Sequence, residues 1–119
     1  MNPQQESELL GLRKAAIDGM VSYMQHGDVG YTQKHVDRCV KILDRYLDAL
    51  KRICESGQDE KILREAKNAV LDLNSLNEKC DGALLETDQR EQICELMIVA
   101  AKHAGLTLEG DFTEEWREW

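Results

Sequence analysis

From Val36 to Cys80, apolar side chains recur at helical spacing in two successive runs. Val36, Val40, Leu43, Leu47, Leu50 and Cys54 make the first; Ile62, Ala66, Ala69, Leu73, Leu76 and Cys80 make the second. Steps of three and four residues return a side chain to one face of an α-helix. Each run therefore predicts a helix with a single apolar stripe. Between them, Glu55-Ser-Gly-Gln-Asp59 is polar and holds a glycine, which predicts a short turn. Helices joined by a short turn lie antiparallel, and their stripes can face each other.

The same reading extends to both ends. Leu9, Leu12, Ala16, Met20 and Tyr23, with Leu10, Ile17, Val21 and Met24 beside them, give a first helix a broad apolar face. Asn2, Pro3 and Gln5 fit its start as a capping box with proline at the first position. Gly11 and Gly19 either weaken it or mark close helix contacts. Thr32 is placed to cap the second helix, and Gly82 to end the third in a left-handed conformation. Leu84 and Leu85 are expected beneath the bundle. Ile93, Met97, Ala100 and Ala104, with Cys94, Ile98 and Ala101 alongside, predict a fourth helix. Asp88 and Glu91 have capping-box spacing at its entry. Leu106 to Phe112 reads as a connector, partly extended. The expected elements are helices over about 3–26, 32–56, 59–80, 88–104 and 113–119. They make one domain over 1–119: all-α, an antiparallel four-helix bundle with a short additional C-terminal helix.

Length and charge narrow the function classes. A chain of 119 residues can bury one hydrophobic core. Its longest apolar run, Leu96 to Ala101, is far short of the ~20 residues that cross a bilayer. The first residues lack the basic and apolar blocks of a secretory signal, so a cytoplasmic protein is expected. Cys39, Cys54, Cys80 and Cys94 lie far apart, each within an expected helix. They read as reduced core thiols, not zinc ligands. The net charge is −8, and residues 81–119 hold ten acidic and three basic groups. That balance disfavours nucleic acid and favours a basic protein partner. The outer face of the second helix alternates in sign. It reads as a solvated, paired surface, with a basic ridge of Arg38, Lys41, Arg45 and Arg52 as the other possibility.

Catalytic constellations are sought without result. The Glu-x-x-His pairs of a dimetal bundle and a phosphate-cradling glycine loop do not occur. His26, His35 and His103 each fall near a helix end and could converge in space, but neither a three-histidine metal site nor a cofactor is the expectation. Cys94 has acidic neighbours, the opposite of what activates a thiolate. The remaining polar cluster is Glu86, Asp88, Arg90, Glu91 and Glu95 at the fourth helix's entry, where carboxylates also complement the helix dipole. Trp116 and Trp119 share a face, to dock on the bundle or to anchor a partner. Glu86, Asp88, Glu91, Glu95, Glu114, Trp116 and Trp119 are the expected partner-binding residues. Asn68, Asn74 and Asn77 are dense for a helix interior, where asparagine is unfavourable. Asn74 and Asn77, with His103, are the residues of an alternative pocket between the third and fourth helices.

The run Leu85-Glu-Thr-Asp-Gln-Arg-Glu-Gln-Ile-Cys-Glu-Leu96, then Ala100-Ala101 and Trp116-Arg-Glu-Trp119, resembles a family of short bacterial proteins, a domain of unknown function. The similarity also touches His35-Val-Asp-Arg38 and Leu43-Asp-Arg-Tyr-Leu47. It implies a bacterial single-domain protein and carries no activity or site residue with it. The leading expectation is a non-enzymatic interaction module of immunity or antitoxin type with an acidic C-terminal surface. The alternatives are a small-molecule-binding bundle or minor enzyme, and a homo-oligomer, such as a homodimer, joined through the tryptophans.

Overall fold

The structure, a computed structural model, describes residues 1–53 and 58–119. Cys54 and residues 55–57 of the expected turn lie outside the described residues. The elements are α1 (Pro3–Met24), α2 (Gln33–Ile53), α3 (Asp59–Lys79), α4 (Thr87–His103) and a 3-10 turn at Phe112–Glu115. α1 packs chiefly along α4, and α2 along α3. Tyr23 at the end of α1 reaches Asp88 at the start of α4, while Glu8 near the start of α1 meets His103 at the end of α4. The two helices are therefore antiparallel. The bundle measures 45 × 28 × 21 Å. Among the described residues, no helix is long and apolar enough to cross a membrane.

The stripe on α3 is buried at every expected position, from Ile62 through Ala66, Ala69, Leu73 and Leu76 to Cys80. The stripe on α2 is rotated. Val36, Leu43, Leu47 and Leu50 are buried, but Val40 is only half-buried, and Cys39 and Tyr46 join the core instead. Steps of three and four permit either path. The bulk of Tyr46 decides between them, because its ring is fully enclosed. A buried phenol needs a hydrogen-bond partner. Tyr46 finds one across the bundle, donating to the Met97 carbonyl of α4 at 2.7 Å. On α1 the buried face is narrower than expected: Leu9, Ala16 and Met20 are enclosed, while Leu10 is 60% and Tyr23 46% exposed. Arg13 of α1 clasps Asp44 of α2 with two bonds, at 2.7 and 3.1 Å.

The helix ends follow local chemistry. Asn2 and Gln5 form the expected capping box. At α2 the bond runs the other way: the Thr32 main-chain N–H donates to His35 Nδ1 at 3.0 Å. α3 closes through Asp81, held in the left-handed region at φ 53°, with Gly82 N–H bonded back to the Asn77 carbonyl at 2.9 Å. The capping box expected of Asp88 and Glu91 is not formed. Glu86 occupies the cap position without a side-chain bond, and Asp88 accepts from Tyr23 instead. Gly19 does mark a close contact, since a Cβ there would lie 3.2 Å from Gln92 Oε1; Gly11 faces open space.

The largest difference from expectation is at the C-terminal segment. In place of a helix over 113–119 there is one 3-10 turn. The Trp116 and Arg117 N–H groups still bond back to the Thr113 carbonyl, but no further turn follows, and the main chain is tied to α3. Asn74 Nδ2 donates to the Trp116 carbonyl at 2.8 Å, and the Glu118 N–H donates to Asn74 Oδ1 at 3.1 Å.

The core makes stability depend on alkaline pH. Burial pushes the Cys39 thiol from 9.0 up to about 12, and the Tyr46 phenol well above its usual 10.0. Above pH 9 the unfolded chain loses these protons while the folded chain keeps them. The unfolded state then binds fewer protons, so unfolding free energy falls as pH rises. Denaturant titrations at pH 8, 9 and 10 should show that fall, with a limiting slope of about 1.4 kcal/mol per pH unit for each group. Cys39→Ala should flatten the part that begins near pH 9.

Candidate functional site

Asp88, Glu91 and Glu95 stand at steps of three and four on α4 and share one face. All three are exposed, as is Glu86 just before the helix. Glu91 and Glu95 have no ion pair or side-chain hydrogen bond among the described residues. Like charges one turn apart repel, so each pays a cost that a neighbouring cation would relieve. The 3-10 turn is fastened to the same helix, with the fully buried Thr113 hydroxyl 3.8 Å from Cys94 Sγ. It adds the exposed Glu114 and Glu115. Glu114 is 3.8 Å from Arg117.

The acidic face begins in a cleft of about 360 Å³. The end of α1 supplies Tyr23, and the α1–α2 loop supplies Val29 and Tyr31. The α3–α4 loop supplies Ala83 and Glu86, and the first turn of α4 supplies Thr87, Asp88 and Gln89. Two loops must meet closely here. Gly30 allows it: at φ 86° it sits where an added Cβ would lie 2.8 Å from Ala83 Cβ. Tyr31 is pinned by its hydroxyl, which donates to the Met20 carbonyl at 2.7 Å. Sequence reasoning found Glu86 and Asp88 but missed Tyr31 and Gln89 as their neighbours. The available signal was an apolar pair, Val29 and Tyr31, in a loop otherwise rich in glycine.

Asn74 and Asn77 are buried, as a functional reading required, yet they serve the backbone. Asn74 holds the C-terminal segment, and Asn77 Oδ1 accepts from the Leu85 N–H at 2.9 Å. Both line a shallow cleft of about 330 Å³ with Asp81 and Trp119, between the end of α3 and the C-terminal segment. His103 is not in it. The His103 Nε2 lies 2.6 Å from Glu8 Oε1 on α1. The chain just after α4 meets Asp59 at the opposite end of α3. Some fifteen residues at ~1.5 Å each separate Asp59 from Asn74, so the three residues of the expected pocket are not assembled.

Trp116 and Trp119 are half-buried and packed against the core. Arg117 organises them: its Nε donates to Thr113 Oγ1, a second nitrogen pairs with Asp111 at 3.2 Å, and its guanidinium lies 5.3 Å from the Trp119 ring centre. The Trp119 indole N–H is buried without a partner among the described residues. On α2, Lys34, Arg38 and Lys41 are exposed and have no ion pair among the described residues, since Asp44 is taken by Arg13. Arg45 is 4.0 Å from Asp72. Lys51 is 3.6 Å from Glu6, so the face is paired in part, as expected, with Lys34, Arg38 and Lys41 left open.

Among the described residues, no group of three or more His, Cys, Asp or Glu gathers as a metal site would need. Burial raises the Cys94 thiol, partly offset by Thr113 and Arg117. No family model, curated protein or solved structure matches the chain. The reading of the site therefore rests on its geometry.

The asparagines give a sharp contrast. Asn77→Ala strands the buried Leu85 N–H and should lower unfolding free energy by about 1–3 kcal/mol. Asn68, exposed on the same helix, should tolerate alanine with no loss or a gain of a few tenths of a kcal/mol. Urea denaturation of both variants checks the difference.

Proposed function

We propose that the protein is a non-enzymatic interaction module of immunity or antitoxin type, working in a bacterial cytoplasm, whose acidic α4 face engages a basic protein partner. One observation carries the reading: Asp88, Glu91 and Glu95 share an exposed face, and Glu91 and Glu95 have no ion pair among the described residues. Such a surface repels itself and steers a cationic partner toward it. The acidic 3-10 turn supports the same orientation. Trp116 is half-buried and packed against the core, so it is not a free anchor. A second copy of the chain is the competing occupant, because the basic ridge on α2 has the opposite sign.

The test is capture by immobilised protein from native cytosol, followed by titration of the captured protein in solution. The retained protein should be basic, and its affinity should fall at least ~tenfold when Glu91, Glu95 and Glu114 are reversed to lysine. It should also fall steeply with salt. Retention of nothing, or affinity indifferent to the triple reversal, contradicts the proposal. Retention of the chain itself, with light scattering showing salt-sensitive mass growth, assigns the face to self-association instead.

A further inference from the structure

We infer that the groove between α2 and α3 docks an acidic, amphipathic helix of a protein partner. The inference uses no residue of the acidic α4 face and goes beyond the function proposed for that face.

The groove consists of three clefts that run into one another. The first, of about 390 Å³, lies along the start of α2 and includes Lys34, Arg38 and Lys41. The second, of about 290 Å³, shares Arg38 and Lys41 with it and adds Arg45 of α2 and Lys79 of α3. The third, of about 270 Å³, shares Ile42, Arg45 and Asp72 with the second and adds Leu71 of α3. From Lys34 to Tyr46 the groove follows α2 for roughly 18 Å, at ~1.5 Å per residue. That is the length of about three helical turns.

Charge and apolar contact point to the same occupant for separate reasons. Arg38, Lys41 and Lys79 are exposed and have no ion pair or side-chain hydrogen bond among the described residues. They stay open although the chain carries 23 acidic groups against 15 basic ones. Asp72, the carboxylate of the middle cleft, stands 4.0 Å from Arg45 and leaves the other three cations uncompensated. Such a row attracts carboxylates. Independently of charge, Leu71 is 43% exposed and shares the third cleft with half-buried Ile42. The two stand on facing helices, so an apolar side chain entering between them is covered from both sides.

An acidic amphipathic helix meets both demands. Its carboxylates reach the cations along the rim, and its apolar face fills the space between Ile42 and Leu71. The groove walls select the helical form. Main-chain groups of α2 and α3 are bonded within their own helices, so an extended segment finds no backbone partners there, while a helix satisfies its own. Inorganic phosphate would leave Ile42 and Leu71 unused. A nucleic-acid strand would set its phosphates against Asp37, Glu65 and Asp72 as well as against the cations.

Amide NMR of the full chain, titrated with three capped helical peptides of about four turns, tests the assignment. The first peptide carries leucine at helical spacing with glutamate on both flanks; the second has lysine for every glutamate; the third is a scramble of the first. Inorganic phosphate and a short oligouridylate serve as competitors. The first peptide should give saturable shifts centred on Ile42, Leu71, Asp72 and Ser75, and the second none. The scramble should bind about tenfold more weakly. Arg38→Glu combined with Lys41→Glu should weaken the first peptide at least ~tenfold, and Leu71→Ser about threefold, with melting temperatures unchanged because all three side chains are exposed. Absence of saturable shifts, binding of the lysine peptide at the same residues, or equal binding of the scramble overturns the inference. Displacement of the first peptide by phosphate or oligouridylate overturns it too, and assigns the groove to a phosphate ligand. Light scattering of the protein alone gives the last outcome: mass growth abolished by the Arg38 and Lys41 reversal hands the groove to a second copy of the chain and overturns the inference.

Discussion

Two asparagine amides, buried one turn apart on α3, set a constraint that the rest of the surface obeys. An amide enclosed in a helical bundle must find partners, or its burial costs free energy comparable to a lost hydrogen bond. Among the described residues, neither amide is bonded to another side chain of α3. The partners come from chain segments that are not helical. Asn74 takes a carbonyl and an N–H from the C-terminal segment, and Asn77 takes an N–H from the α3–α4 loop. Each amide thus converts a flexible connection into a fixed one.

The consequence is a molecule with two differently charged sides. Holding Leu85 fixes the loop that carries Ala83 and Glu86, and hence one wall of the cleft. Holding Trp116 and Glu118 keeps the C-terminal segment against α3, while Thr113 and Cys94 keep the 3-10 turn against α4. Acidic side chains are then displayed on α4 and the turn, and Lys34, Arg38 and Lys41 on α2. The apolar seam supplies most of the driving force, since burial of side chains such as Leu43, Leu73 and Met97 removes large apolar areas from water. Seam burial alone says nothing about where the connections go. The amides do.

Much of the architecture was legible because helical periodicity is a strong signal over long segments. The α3 stripe is buried at each expected position, and the Asn2–Gln5 capping box forms as its spacing suggests. The α2 stripe was misplaced by one position on the Val40 side, because periodicity cannot rank Val40 against Cys39. Only the demand of the Tyr46 ring for an enclosed site does so. The C-terminal segment was misread for a different reason. Its local sequence suits a helix, and what overrides it is a long-range bond to Asn74, which no local pattern encodes. The candidate site divides in the same way. Glu86, Asp88, Glu91 and Glu95 were visible as charge, whereas Tyr31 and Gln89 join the cleft only through the meeting of two loops at Gly30 and Ala83. His103, placed with the asparagines by reasoning on helix ends, pairs with Glu8 across α1 and α4.

Amide hydrogen exchange at Leu85 and Glu118 tests the central claim most directly, because neither N–H bonds within a helix and each is bonded to one asparagine side chain. The account predicts that both exchange far more slowly than their flanking loop amides. It also predicts that Asn74→Ala releases Glu118 while leaving Leu85 protected. Exchange of both amides at the rate of an unstructured peptide in the unaltered protein would contradict it.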